Sequence, residues 1–272
     1  MSRNSPLAFW IVSILLGANL ALIASYTVPI FLEPELQSED DLLLRDTWDF
    51  GVGGRYYPGS SNIDANEKVV VILAETSDEK MSYSNSYFEN ILFGGSYGSM
   101  DHYYSEATYG YTDMTGVVIG PFRLPKSLTY YDPGDNENIR EAIEDAVSLA
   151  DSIFDFSPYD QDNDGLVDNI MVIFAGENDA TNGGGRDPGA IWPHKWTLLS
   201  TYNTNDGVGV SKYFACPQGC GLGTYVHEIG HNFGLPDLYD TDQTSSGIGE
   251  WGVMAGGGYL TKDGEANPSH FS

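Results

Sequence analysis

The segment Thr224-Tyr-Val-His-Glu-Ile-Gly-His-Asn-Phe-Gly-Leu-Pro-Asp237 restricts the fold of this chain more than any other. His227 and His231 are four residues apart, a spacing that stacks two imidazoles on one face of a helix and lets both meet one cation. Glu228 lies too far round the helix to be a comfortable third ligand, yet near enough to hold and deprotonate a metal-bound water. Gly234 can adopt the left-handed conformation that ends a helix, and Pro236 keeps the helix from resuming, so the turn returns Asp237 to the cation. Three protein ligands with an open fourth position describe a catalytic zinc site, whereas a structural site is filled by four. The chain must therefore build a helix that carries this segment and a scaffold that holds it still.

The scaffold is predicted from hydrophobic periodicity. Val69 to Ala74 is a compact, largely β-branched run suited to a strand buried on both faces, and Asn169 to Ala175 is a second. Between them Ile139, Ala142, Ile143, Ala146, Val147, Ala150 and Phe154 recur at helical spacing, with Glu137, Arg140, Glu141, Glu144 and Asp145 on the other side, which predicts an amphipathic helix of about four turns. Strand, covering helix, strand and metal-bearing helix make a mixed α/β or α+β domain, not a bundle or a sandwich. There is no internal repeat.

Arg3 precedes an almost unbroken apolar run from Leu7 to Ala24, and acidic residues follow it. This predicts an export element over 1–25, either a cleaved signal peptide or an uncleaved membrane anchor, with the rest of the chain extracellular. Residues 26–67, broken by Pro34, an acidic cluster and a Gly/Pro/Ser/Asn-rich stretch, form a linker or short pro-segment, and 68–272 the catalytic domain. The linker holds no cysteine, which excludes latency through a thiolate on the metal. Lys and Arg total 12 against 39 Asp and Glu, a net charge of −27 that repels nucleic-acid phosphates and argues against such a partner. The two cysteines, Cys216 and Cys220, are expected to pair outside the cell.

Asp160, Asp162 and Asp164 alternate, Gly165 follows, and Asp168 completes an oxygen-rich loop in which Leu166 can offer its carbonyl; these residues are candidate calcium ligands. Met171 stands where an EF-hand needs a bidentate Glu, so the loop is not an EF-hand. His194, between Trp192 and Trp196, could face a substrate cleft or be a packed structural histidine. His102 and His270 carry no constellation.

The motif His-Glu-Ile-Gly-His-Asn-Phe-Gly-Leu-Pro-Asp, followed by Leu-Tyr-Asp, resembles that of the immune inhibitor A group of metallopeptidases. The likeness extends through Tyr103-Tyr104-Ser105 to Ser127, through Tyr159 to Asp168, and through Ile191-Trp-Pro-His-Lys-Trp196, about three-quarters of the chain. It implies a secreted zinc endopeptidase acting on proteins or peptides, a metzincin-like domain with a twisted central sheet, and a calcium in the Asp-rich loop. It also implies a Met-turn at Trp251-Gly-Val-Met254 that floors the ligand histidines. In that family the Pro-Ser-His-Phe-Ser ending this sequence is normally followed by more of the catalytic domain, so truncation at the C-terminus is expected. A non-catalytic, calcium-stabilised surface or adhesion protein on the same fold is the alternative, and loss of Glu228 or of a ligand would have favoured it.

Overall fold

The computed structural model describes residues 64–134, 136, 138–180, 187–240, 244–245, 247–262 and 265–271. The apolar run expected to direct export lies outside them, and among the described residues no helix is long and apolar enough to cross a membrane.

Strand β1 (Asn66–Glu75) is an interior strand of the main sheet. Its interior is apolar because both faces are covered: Val70, Ile72 and Ala74 enter one core cluster and Val69, Val71 and Leu73 the other. Helices α1 (Asn85–Phe93) and α2 (Met100–Ala107) follow, each opened by a serine, Ser84 or Ser99, whose side chain accepts an amide of the first turn. Strand β2 (Asp113–Arg123) returns parallel to β1. After the short α3 (Leu128–Tyr131) comes α4 (Ile139–Ala150), then β3 (Ile170–Phe174), β4 (Glu177–Asn178), β5 (Ala190–Ile191), β6 (His194–Asn203) and β7 (Gly209–Pro217).

Five of these strands form one sheet in the order β2-β1-β3-β7-β6, parallel except for β6, which runs antiparallel to β7 at the edge. Helix α4 packs its Ile139, Ile143 and Val147 on one face of the sheet. On the other face lie α1, α2 and α5 (Leu222–Asn232), the helix that carries the two spaced histidines. The small β8 (Thr261–Lys262) and β9 (Glu265–Ala266) pair near the end of the chain. The expected mixed α/β architecture is the one observed.

Two details differ from expectation. Helix α4 ends at Ala150, just after three turns, and Phe154 reaches the core through the following turn, where its amide meets Ala150 O. The next residue, Asp151, turns outward to accept from the Asn205 backbone and side chain. The cysteines are not paired: Cys216 and Cys220 are both free and buried. Cys216 sits on the inner face of β7 in the apolar cluster beneath α5, burial pushes its thiol well up, and Cys220 accepts from Asn178.

Candidate metal centre

Helix α5 starts as β7 leaves the sheet and runs back across it, and nine of its eleven residues are buried. Its path is fixed by close backbone approach. A Cβ on Gly223 would lie 1.8 Å from Gly258 O, and one on Gly230 2.9 Å from Met254 Sδ. Met254 is thus packed beneath the histidines, where the Met-turn resemblance put it. Gly234 has φ +81°, the left-handed value expected of a glycine helix stop, and Leu235 N closes the turn on Gly230 O.

Both imidazoles are aimed from behind by main-chain carbonyls. His227 Nδ1 donates to Val253 O at 3.0 Å and His231 Nδ1 to Leu235 O at 2.8 Å. A carbonyl can only accept, so each Nδ1 carries the proton and each Nε2 presents a lone pair. Those two atoms converge on Asp237 Oδ1 at 3.0 and 3.3 Å. The rings stand almost perpendicular, 87° apart, with centroids separated by 4.7 Å. Asp237 Oδ1 is buried without a hydrogen-bond donor. Three lone-pair donors facing one point with no proton between them repel one another unless a cation sits among them, and two nitrogens with one carboxylate oxygen suit zinc. The cluster is one of two groups among the described residues whose ligand atoms lie close enough to share an ion.

The electrostatics follow from this crowding. A proton on an imidazole Nε2 relieves this crowding as a cation would: burial alone would lower the His227 imidazole, but the hydrogen bond that such a proton makes to Asp237, then the charge of Glu228, lift it to about 9. Burial works to raise Asp237, and the bonds from His227 and His231 overcome it and hold the carboxyl well below the usual range. Glu228 is 4% exposed, its Oε2 has no partner, and burial raises its carboxyl against the lowering pull of the two imidazoles.

Residues that the motif does not contain complete the centre. Tyr239 stacks on His227 with ring centroids 6.5 Å apart, and Lys195 of β6 donates its Nζ to His231 O at 3.0 Å. Asn232, 2% exposed, donates to Asp168 O and Asn169 Oδ1, while Asn169 Nδ2 donates to Glu67 Oε2. This chain of amides fastens the last turn of α5 to the start of β3. His194 is the packed histidine of the two expected readings: Nδ1 bonds Trp192 O at 2.7 Å, and burial pushes the ring down to about 4. His102 and His270 flank Glu106 at the surface.

In the Asp-rich loop the carboxylates of Asp160, Asp162 and Asp164 come together, each accepting a loop amide: Gly165, Asp164 and Leu166 respectively. Asp168 is not in that group, because its Oδ2 turns to the amide of Gln161.

Compared with known families, residues 61–272 match the catalytic domain of the immune inhibitor A peptidases, family M6. The chain belongs to that family. Immune inhibitor A of Bacillus thuringiensis subsp. alesti is 28% identical over 263 residues, covering 76% of this chain and 38% of the relative. The pre-pro-metalloprotease PrtV of Vibrio cholerae serotype O1 (strain M66-2) is 28% identical over 233 residues, covering 70% of this chain and 25% of the relative. The chain thus spans well under half the length of either relative. Within the M6 domain helix α5 and the turn after it bring together the cluster that could hold a metal, and the family's metallopeptidase character agrees with the chemistry of that cluster.

Proposed function

We propose that this chain is an extracellular zinc endopeptidase in which His227, His231 and Asp237 hold the metal and Glu228 is the general base. One observation carries the reading: two imidazole Nε2 lone pairs and Asp237 Oδ1 converge on a single point, beside the carboxylate of Glu228, whose Oε2 is buried without a partner.

Zinc held there would polarise the scissile carbonyl and make an attacking water more acidic. Glu228 takes the proton of that water and passes it to the leaving amine. Burial of Glu228 serves this, since a carboxylate deprived of solvent is the stronger base. The carbonyls of Val253 and Leu235 hold the ligand rings in one tautomer and orientation, which keeps both Nε2 atoms directed at the ion. Strand β6, last in the sheet and packed beside α5, offers main-chain groups to which an extended peptide can add, which favours proteins and peptides as substrates.

The proposal extends to calcium in the loop of Asp160, Asp162 and Asp164, completed by the Leu166 carbonyl and Asp168. Asp160 Oδ1 is buried without a partner, and burial, together with the charges of Asp162, Asp164 and Asp160, pushes Asp168 up to about 6, so a cation would relieve the whole loop. For the chain as a whole it includes export by residues 1–25, as signal peptide or anchor, with 26–67 as linker or pro-segment ahead of the catalytic domain 68–272. Hydrolysis of an unfolded protein such as casein, followed together with zinc content in the parent chain and in Glu228→Gln, tests the central reading.

A further inference from the structure

We propose that Lys195 is a positioning residue of the metal centre, one that locks the second ligand's turn to the edge strand β6. The inference rests on the zinc peptidase reading.

Lys195 is 9% exposed, in a chain with only 12 lysines and arginines. Burial, helped by the charge of Lys212, pulls its ammonium down to about 8, so the position is unfavourable for a cation in itself. What offsets that penalty is the company it keeps. Its Nζ donates to His231 O at 3.0 Å, and that carbonyl, which also accepts from Gly234 N at 3.2 Å, belongs to the last turn of α5, where the helix dipole is negative. The charge of Glu228 acts in the same favourable direction.

Lys195 therefore acts on the turn of the second ligand. His231 is held at its ring by Leu235 O and at its carbonyl by Lys195, so the residue from which the turn to Asp237 departs is fixed at two points. His194 and Trp196, the neighbours in β6, take no part in this anchoring, since His194 packs against Tyr213 and Arg140 lies over Trp196. Loss of the ammonium leaves the His231 carbonyl with only the backbone amides of the helix stop, such as Gly234 N at 3.2 Å, and the turn from His231 to Asp237 loses its tie to β6.

The test uses Lys195→Met, which keeps the apolar stem, and Lys195→Arg, which keeps the charge. Four readouts are followed in the full chain: zinc release to a chelator, the visible spectrum of the cobalt-substituted protein, kcat and KM on a peptide, and the melting midpoint of the metal-free protein. Lys195→Met is expected to release zinc faster or to lose kcat by about 10- to 100-fold, with KM held and the cobalt bands shifted, and Lys195→Arg to recover most of the loss. Parent-like zinc release and kcat in Lys195→Met would overturn the proposal, as would losses in both variants that merely track a lowered metal-free midpoint. Should Lys195→Met not fold, Lys195→Gln is judged on the same readouts. A parent chain that holds zinc but cuts nothing contradicts the peptidase reading and leaves zinc release to decide on Lys195; a parent that takes up no zinc overturns both.

Discussion

His227 and His231 owe their orientation to the carbonyls of Val253 and Leu235, and the turn between His231 and Asp237 owes its position to side chains far away in sequence. Asn232 is the clearest of these, because it places two donors on groups at the start of β3 from inside a site that water does not reach. Asn232→Ala removes both bonds and leaves the Asn169 carbonyl oxygen without that donor. The expected cost is about 1–3 kcal/mol, seen as a lower urea midpoint at unchanged m; an unchanged midpoint would mean that the amide chain contributes nothing. The four residues proposed for the metal site could be named from the sequence because their placement is local: three lie on consecutive turns of one helix, and a glycine stop returns the fourth. Lys195 and Asn232 were not legible, since their partners lie 36 and 63 residues away and only the sheet order brings them together. His194 could be read either way for the same reason, its burial being set by Tyr213 and Trp192.

At the scale of elements, α5 is held against the turn at Gly256–Tyr259 by contact of main chain on main chain. Gly223→Ala would drive a methyl into Gly258 O, and backbone has little room to give. The expected loss is about 1–3 kcal/mol of stability. Gly219→Ala, where the added methyl meets open space, is expected to stay within about 0.5 kcal/mol. Equal midpoints for the two variants would contradict this packing. The elements read correctly from sequence, β1, β3 and α4, are those whose burial pattern is complete on its own: two apolar runs covered on both faces and one strongly amphipathic helix. Strand β6 was hidden because its exposed positions alternate irregularly around the shift in register between Thr197 and Tyr202. The expected Cys216–Cys220 disulfide is absent although both thiols lie in the cluster beneath α5 and are hydrogen-bonded to each other, so the spacing predicted their proximity and not the bond.

Across the whole molecule the excess of acid, −27, sets how stability responds to pH and ions. Asp168 has its carboxyl raised from 3.8 to about 6 by burial and by its acidic neighbours. A raised acid binds its proton more tightly in the folded state, so the fold loses stability as pH rises from about 4 through about 6, and the loss is complete above that. With chelator present, the melting midpoint is therefore expected to fall across that window. Millimolar calcium should remove the fall and raise the midpoint at pH 7, and Asp160→Asn together with Asp162→Asn should abolish the calcium response. A midpoint indifferent to calcium would reject that loop as a cation site. The most direct measurement is zinc content and casein hydrolysis in the parent chain and in Glu228→Gln. The expected result is one zinc per chain in both proteins, with hydrolysis in the parent that chelation abolishes and a rate lower by about 100- to 10,000-fold in the variant. Zinc bound with undiminished hydrolysis by Glu228→Gln would remove Glu228 from the chemistry, and a parent that neither binds zinc nor cuts casein would contradict the metal centre itself.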